Sequence, residues 1–164
     1  MNQISFDVQF EKAVRFLIKY APVSDESTKK SMVTHDIRVG VYLFNNGYSK
    51  DIVLAGILHD TVEFTEVSEK MLKDEFGDVV TKLVLANSKD RSIKSSDERI
   101  DELVKRCSKN GKDSLIIKAV DTIDSYIHYT KTNNVGELDY CKKNALAVFK
   151  YMPVDCIDPV FDIL

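Results

Sequence analysis

The chain has only three histidines, and two of them, His35 and His59, lie in or next to apolar helical patterns. His59 is followed at once by Asp60 at the end of the apolar run 52–58, while His35 lies within a second helical pattern and Asp121 interrupts a third. An aspartate is rarely buried unless it is paired or bound to a metal ion. Imidazole nitrogens and carboxylate oxygens together suit Mn²⁺, Fe²⁺, Co²⁺, Ni²⁺ or Zn²⁺. We therefore predict that these four residues hold one divalent metal ion, and we favour Mn²⁺.

The segments that carry these residues are predicted to be helices. The chain contains only 6 glycines and 3 prolines, fewer than the average usage of roughly 7% and 5%, and apolar residues recur at helical spacing along most of its length. We predict an all-α fold, a bundle of about seven helices. The first predicted helices cover residues 5–20 and 27–44, and a third is capped by Ser49 and carries the apolar run 52–58. A short helix opens at Val67 and stops at Gly77, and another runs from Asp78 to about Asn87. The last three cover residues 97–109, 113–130 and 136–152.

Length and polarity favour a single domain. A chain of 164 residues falls within the ~100–200 residues of a typical domain. The most polar stretch, Ser88–Asp97, is predicted to be an exposed loop and not a linker, because neither side alone could close a core. We therefore expect one domain over residues 1–164. The tail after Pro153 is compatible with a short docked helix or with a contact in a homodimer.

Composition excludes several classes of protein. Acidic residues number 26 against 23 basic ones, for a formal charge of −3, whereas nucleic-acid-binding domains show a strong basic excess. No stretch approaches the ~20 apolar residues of a membrane span. The three cysteines are scattered singly, which excludes a zinc–thiolate motif and argues against a disulfide scaffold. We expect a cytoplasmic protein that binds neither nucleic acid nor membrane.

The order of the four predicted ligands resembles that of the HD superfamily of metal-dependent phosphohydrolases. Three longer segments, THDIRVGVYL, AGILHDTVEFTEVSEKMLKDEFGDVVTKLV and IIKAVDTIDSYIHY, are similar to the hydrolase domains that degrade guanosine tetraphosphate. Those domains carry the pattern LHDxVED, then a helix, FG and a KxxD helix. The resemblance covers most of residues 28–130. It implies a helical bundle around the metal and hydrolysis of a phosphate compound by metal-activated water.

Glu63 is the candidate catalytic residue. It follows His59 by four residues and Asp60 by three, so on a helix it lies over the same face. The family places a glutamate here that positions or deprotonates the attacking water, and a carboxylate beside a metal suits that task. The alternative is a solvated glutamate near a helix end.

Phosphate groups need cations, and several residues near the motif could supply them. Lys29 and Arg38 flank the first histidine, and their alternative role is that of solvated surface charges. Lys118 matches the family's KxxD, and its alternative role is an ion pair that orders the aspartate three residues later. Ser125 and His128 follow on the same helix and could contact a sugar or base, although a partly exposed histidine is an equally good interpretation.

Three departures from the alarmone-hydrolase pattern bear on substrate choice. Phe64 stands where those enzymes have an aspartate, Ser125 stands where they have an asparagine, and SDESTKKSMVT replaces a basic RKSGEPY-like segment. We predict hydrolysis of a phosphate ester or diphosphate of a nucleotide or related small metabolite, with weak or no activity on guanosine tetraphosphate. The alternatives are a guanosine tetraphosphate pyrophosphohydrolase, a catalytically degenerate HD-domain protein that binds a nucleotide or a partner protein, and a helical interaction module without metal.

Overall fold

A computed structural model of the chain describes residues 5–164. Every regular element in that range is a helix, which confirms the all-α prediction. The two shortest helices, of four and five residues, raise the number of segments above the predicted seven. The helices are α1 (Phe6–Tyr20), α2 (Met32–Asn45), α3 (Lys50–Leu58), α4 (Thr61–Phe64), α5 (Glu69–Asn87), α6 (Ser96–Asn110), α7 (Lys112–Lys131), α8 (Val135–Tyr151) and α9 (Pro159–Ile163).

The chain divides into two compact units, Met1–Leu85 and Ala86–Leu164, here called the first and the second unit. The predicted single domain over residues 1–164 stays a prediction, and its first four residues lie outside the described range. No helix within residues 5–164 is both long enough and apolar enough to cross a bilayer.

In the first unit, α2 and α1 both pack against α3. Two glycines let α2 and α3 approach closely. A Cβ atom added at Gly40 would lie 2.2 Å from Cγ1 of Ile57, and one added at Gly56 would lie 2.4 Å from Cδ1 of Leu43. Both distances are far below ordinary van der Waals contact, so a side chain at either position would push the two helices apart. Helix α2 carries His35, and His59 directly follows α3.

Helix α2 begins at Met32, five residues later than the predicted start of the segment 27–44. The cause is a turn organised by Asp25. Its Oδ1 accepts hydrogen bonds from the backbone N and the Oγ of Ser27, and its backbone carbonyl accepts one from the backbone N of Thr28. Such local bonds give the backbone an alternative to helix, which is why Asp and Ser favour turns.

The third predicted helix, which follows Ser49, ends at Leu58, and α4 follows after a two-residue corner. At the corner, Oγ1 of the buried Thr61 donates to the carbonyl of Leu58 at 2.6 Å. The backbone N of Phe64 donates to the carbonyl of Asp60 at 3.1 Å. The Thr61 side chain therefore bonds back to the last residue of α3, which keeps the corner residues close to the end of that helix.

Gly77 interrupts α5 as predicted. Its φ of 83° and ψ of 175° lie outside the helical region, so the segment consists of two helices joined by a kink. A positive φ of this size favours glycine, because a Cβ atom is strained there.

The second unit is built from α6, α7 and α8, which pack against one another, and from α9, which packs against α7. The predicted loop ends at Ser95, whose Oγ caps α6 by accepting from the backbone N of Glu98 at 3.3 Å. The tail contains a docked helix, one of the two expected possibilities. Val160 and Phe161 of this helix are buried, and Nζ of Lys112 donates a hydrogen bond to the carbonyl of Ile157 at 2.7 Å.

Candidate metal centre

Four side chains of the first unit converge at the corner after α3. His35, Asp36, His59 and Asp60 each offer one donor atom, and these atoms all lie within 4.8 Å of one another. The first three residues are buried, and the side chain of Asp60 is 13% exposed. The structure thus brings together three of the ligands predicted from sequence and adds Asp36.

Helix packing places the two imidazoles side by side. His35 lies near the start of α2, where its backbone N donates to the carbonyl of Ser31 at 3.1 Å. His59 directly follows α3. The two ring centroids are 5.3 Å apart with an interplanar angle of 73°. The close approach of α2 and α3 therefore places imidazoles that are far apart in sequence into one cluster.

The hydrogen bond of His59 indicates which ring nitrogen is available. Nδ1 lies 2.8 Å from the carbonyl oxygen of Gly56. A carbonyl only accepts, so in this contact Nδ1 carries the proton and Nε2 keeps the lone pair. Nε2 lies 3.5 Å from Oδ1 of Asp60. Fixing a tautomer through a backbone carbonyl is the usual way in which proteins orient a metal-binding histidine.

Asp36 is the functional candidate that sequence reasoning missed. Its Oδ1 lies 4.0 Å from Nε2 of His35 and 3.8 Å from Nδ1 of His59. Consecutive residues of a helix point about 100° apart, so helical spacing gave no reason to group it with the histidine before it. The available signal was the dipeptide itself, because His35-Asp36 repeats the His-Asp pair at 59–60.

The donor set fits a divalent metal ion. Two imidazoles and two carboxylates match the ligand preferences of first-row divalent metals. Two atoms that each lie about 2.0–2.2 Å from one ion are separated by no more than about twice that distance. The 3.5 Å and 4.0 Å separations between imidazole and carboxylate atoms fall within this limit.

Glu63 and Phe64 occupy the short helix after the corner. Glu63 is half-buried and lies three residues beyond Asp60. Phe64 is 45% exposed, so its ring is not part of the core. The corner therefore carries a carboxylate followed directly by a solvent-facing aromatic ring.

In the second unit, Asp121 is held by two neighbours on α7. Nζ of the buried Lys118 donates to its Oδ2 at 2.8 Å, and Oγ of the buried Ser125 donates to its Oδ1 at 3.3 Å. Burial is the largest single effect and lowers the pKa of Lys118. The attraction and hydrogen bond of Asp121, together with attractions from Tyr140 and Cys107, raise the pKa above its ordinary value. Lys118 therefore makes the ion pair that was one of its two expected roles.

The remaining predicted residues are more exposed. Lys29 lies in the exposed segment before α2, and Arg38 is exposed on α2 itself. His128 lies in the last turn of α7, half-buried, with its ring centroid 5.2 Å from that of Tyr129 in an edge-on arrangement.

Comparison with known proteins gives a family and several relatives. The family model described as the HD domain matches residues 13–122. A guanosine-3′,5′-bis(diphosphate) 3′-pyrophosphohydrolase of Aquifex aeolicus is 25% identical over 119 residues, which is 71% of this chain and 17% of that protein. A GTP pyrophosphokinase of Streptomyces coelicolor is 30% identical over 119 residues, or 70% of this chain and 14% of that protein. The chain thus spans less than a fifth of the length of these curated relatives.

Two solved structures share the fold. A metazoan ortholog of SpoT, described as hydrolysing ppGpp, superposes with a TM-score of 0.74 at 19% identity, covering 99% of this chain and 96% of that one. The lmo0812 protein of Listeria monocytogenes EGD-e superposes with a TM-score of 0.67 at 24% identity, covering 79% and 87%. The HD domain model spans more than half of the sequence and includes all four ligands predicted from it. The chain belongs to the HD domain family.

Proposed function

We propose that this chain is a metal-dependent phosphohydrolase that cleaves a phosphate ester or diphosphate of a nucleotide or a related small metabolite. The observation that carries the proposal is the cluster of His35, His59 and Asp60 within 4.8 Å in a chain of the HD domain family. Two imidazoles and a carboxylate form a donor set that suits a divalent first-row metal ion.

The residues proposed to hold the ion are His35, His59, Asp60 and Asp121. Support for the first three comes from their clustered donor atoms, and support for Asp121 comes from the sequence motif. When bound, a divalent ion supplies Lewis acidity, which activates water and offsets the charge of a phosphate group. The Gly56 carbonyl keeps His59 in the tautomer that leaves Nε2 unprotonated, so the lone pair of this nitrogen is available to a metal ion.

Glu63 is proposed to act as the general base. A carboxylate one turn beyond Asp60, half-buried beside the cluster residues in sequence, suits the task of orienting a water molecule and accepting its proton. Its position on the short helix α4, which begins directly after the corner, ties the base to the same segment as two of the proposed ligands.

Basic and polar residues are proposed to bind the rest of the substrate. Lys29 and Arg38 are exposed and stand before and after His35 in sequence, which suits them to contact phosphate oxygens. Ser125 and His128 are proposed to contact the sugar or base. For Lys118, the ion pair with Asp121 favours an indirect role in which it orders that aspartate.

A second candidate substrate is guanosine bis(diphosphate), cleaved at its 3′-pyrophosphate. It is favoured by the name of the Aquifex aeolicus relative and by the ppGpp hydrolysis ascribed to the metazoan SpoT ortholog. The exposed Phe64 beside Glu63 argues against it, because an aromatic ring replaces a polar acceptor at that position.

The test is a metal and substrate panel on the purified chain. Chelator-treated protein should be inactive, and added Mn²⁺ should restore release of phosphate or pyrophosphate from at least one nucleotide. His59→Ala should bind no metal and show no turnover. A native protein that takes up none of Mn²⁺, Fe²⁺, Co²⁺, Ni²⁺ or Zn²⁺ would overturn the proposal. Uptake of metal without turnover of any substrate would favour the degenerate, nucleotide-binding alternative.

The two candidate substrates are separated by Phe64→Asp. We expect the native protein to prefer another nucleotide over guanosine tetraphosphate, and the variant to gain activity on the tetraphosphate. Initial rates on this compound and on nucleoside mono-, di- and triphosphates measure both. A native kcat/KM of ~10⁴ M⁻¹s⁻¹ or more on the tetraphosphate, which is in the usual range for enzymes, would establish the second candidate in place of the first.

A further inference from the structure

Asp36 is a fully buried carboxylate within the cluster of donor atoms at the proposed metal centre. It is 0% exposed and lies on α2 beside His35, which is buried to the same degree. Removing a carboxylate from water is costly unless a counter-charge or a metal ion compensates it. Nε2 of His35 lies 4.0 Å from its Oδ1, and Asp36 offers a donor atom within 4.8 Å of one from each of His35, His59 and Asp60. A cation shared with these imidazoles would supply compensating charge.

The distances distinguish a ligand from a residue that only orients a histidine. An orienting carboxylate accepts a hydrogen bond from Nδ1 of its histidine. For His59 that position belongs to the Gly56 carbonyl at 2.8 Å, whereas Asp36 Oδ1 lies at 3.8 Å, beyond hydrogen-bond length. The 4.0 Å between Asp36 Oδ1 and His35 Nε2 instead fits two donors on one ion, each about 2.0–2.2 Å from it.

We infer that Asp36 is an additional carboxylate ligand of the metal centre, an inference that rests on the proposed function. With it, the first unit alone offers two imidazoles and two carboxylates to a divalent ion. The extra negative charge strengthens binding of hard, oxygen-preferring ions such as Mn²⁺ relative to ions that prefer nitrogen or sulfur ligands.

The first experiment measures metal affinity, independently of turnover. Mn²⁺ and Zn²⁺ are titrated into the metal-free full chain by calorimetry, for the native protein, Asp36→Asn and His59→Ala. The control is Asp51→Asn, the same chemical change in the first turn of α3. We expect Asp36→Asn to weaken Mn²⁺ binding at least about tenfold, the lower end of what loss of a supporting group near a metal costs. We expect the control to be unchanged.

The outcomes separate this inference from the proposed function. If His59→Ala loses the metal while Asp36→Asn binds it as the native protein does, the metal centre stands and Asp36 is not a ligand. If the native protein binds no metal, both proposals fail. If Asp36→Asn keeps its metal affinity but its metal-free form melts at a markedly lower temperature, Asp36 has a structural role only and the inference is overturned.

A second variant tests coordination directly, including the case in which Asp36→Asn does not fold. Asp36→Cys is loaded with Co²⁺, and its near-ultraviolet spectrum is compared with that of the Co²⁺-loaded native protein. A thiolate bound to Co²⁺ gives a charge-transfer band. The native protein is the matched control, because it contains the same other three cysteines. A band present only in Asp36→Cys supports coordination by residue 36, and its absence from a variant that binds Co²⁺ contradicts it.

Discussion

Carboxylates in the two units have different partners. In the first unit, Asp36 and Asp60 lie 3.5–4.0 Å from imidazole nitrogens, which are weak bases that gain a full charge only when protonated. In the second unit, Asp121 is paired at 2.8 Å with the permanent charge of Lys118 and accepts a bond from Ser125. The first arrangement combines imidazole and carboxylate donors of the kind that bind a metal ion, whereas in the second a carboxylate is paired with an ammonium group. Residue type alone would have treated the three aspartates as equivalent.

The largest expected effect concerns Glu63, the proposed general base, which follows Asp60 by three residues in the first unit. Glu63→Gln keeps the size of the side chain and removes its basicity, so metal affinity should be unchanged while turnover falls ~10²–10⁴-fold. Single-turnover rates and Mn²⁺ titration measure the two properties separately. Glu66→Gln, an exposed neighbour just after α4, is the control. Full activity of Glu63→Gln would show that the centre needs no carboxylate base at this position.

The next prediction tests whether Asp121 is a metal ligand in addition to being the ion-pair partner of Lys118. Asp121→Asn removes one proposed ligand, and we expect metal affinity to fall ~10–100-fold. Asp113→Asn, an exposed aspartate in the first turn of the same helix, is the control. Unchanged Mn²⁺ affinity in Asp121→Asn, together with a lower melting temperature, would mean that this aspartate serves only as the partner of Lys118.

Helix spacing should matter for the carboxylates of the first unit, because Asp36 lies on α2 and Asp60 follows α3. Gly40→Ala places a methyl group 2.2 Å from Cγ1 of Ile57, an atom close to the backbone, so α2 and α3 must move apart. We expect a loss of ~1–3 kcal/mol in the free energy of unfolding, as for other overpacked cores, and weaker metal binding. Gly56→Ala meets the flexible end of Leu43 and should cost less. Chemical denaturation measures both, and equal costs would contradict this account.

The smallest expected effect is on the pH dependence of stability and concerns Asp101, a carboxylate on α6. Hydrogen bonds from Tyr151 and then Lys150 lower the pKa of Asp101 from 3.8 to about 2. A lowered pKa means that the stabilisation is present above the ordinary pKa and is lost as pH falls through about 2. Tyr151→Phe should therefore melt below the native protein at neutral pH, and the gap should narrow as pH falls from about 4 to about 2. A gap independent of pH would indicate lost packing only.

The helices were predictable because their signals are local. Apolar spacing, the scarcity of glycine and the break at Gly77 indicated most helices to within a few residues. The start of α2 was predicted wrongly, because the turn at Asp25 depends on side-chain hydrogen bonds that apolar periodicity does not report. The corner after Leu58 was missed for a related reason, since the bond from Oγ1 of Thr61 to the carbonyl of Leu58 is also a side-chain contact that apolar periodicity does not report.

Residue types and their order along the chain established which chemical groups the site could use, because residue type sets the donor atoms and helical register sets which of them share a face. His35, His59, Asp60 and Asp121 were predicted as metal ligands in this way. Which of these groups meet depends instead on tertiary packing. The approach of α2 to α3 at Gly40 and Gly56 joins segments distant in the chain, and this packing brings Asp36 among the imidazoles. Distances between helices are set by all the side chains at their interface, and no local pattern encodes them.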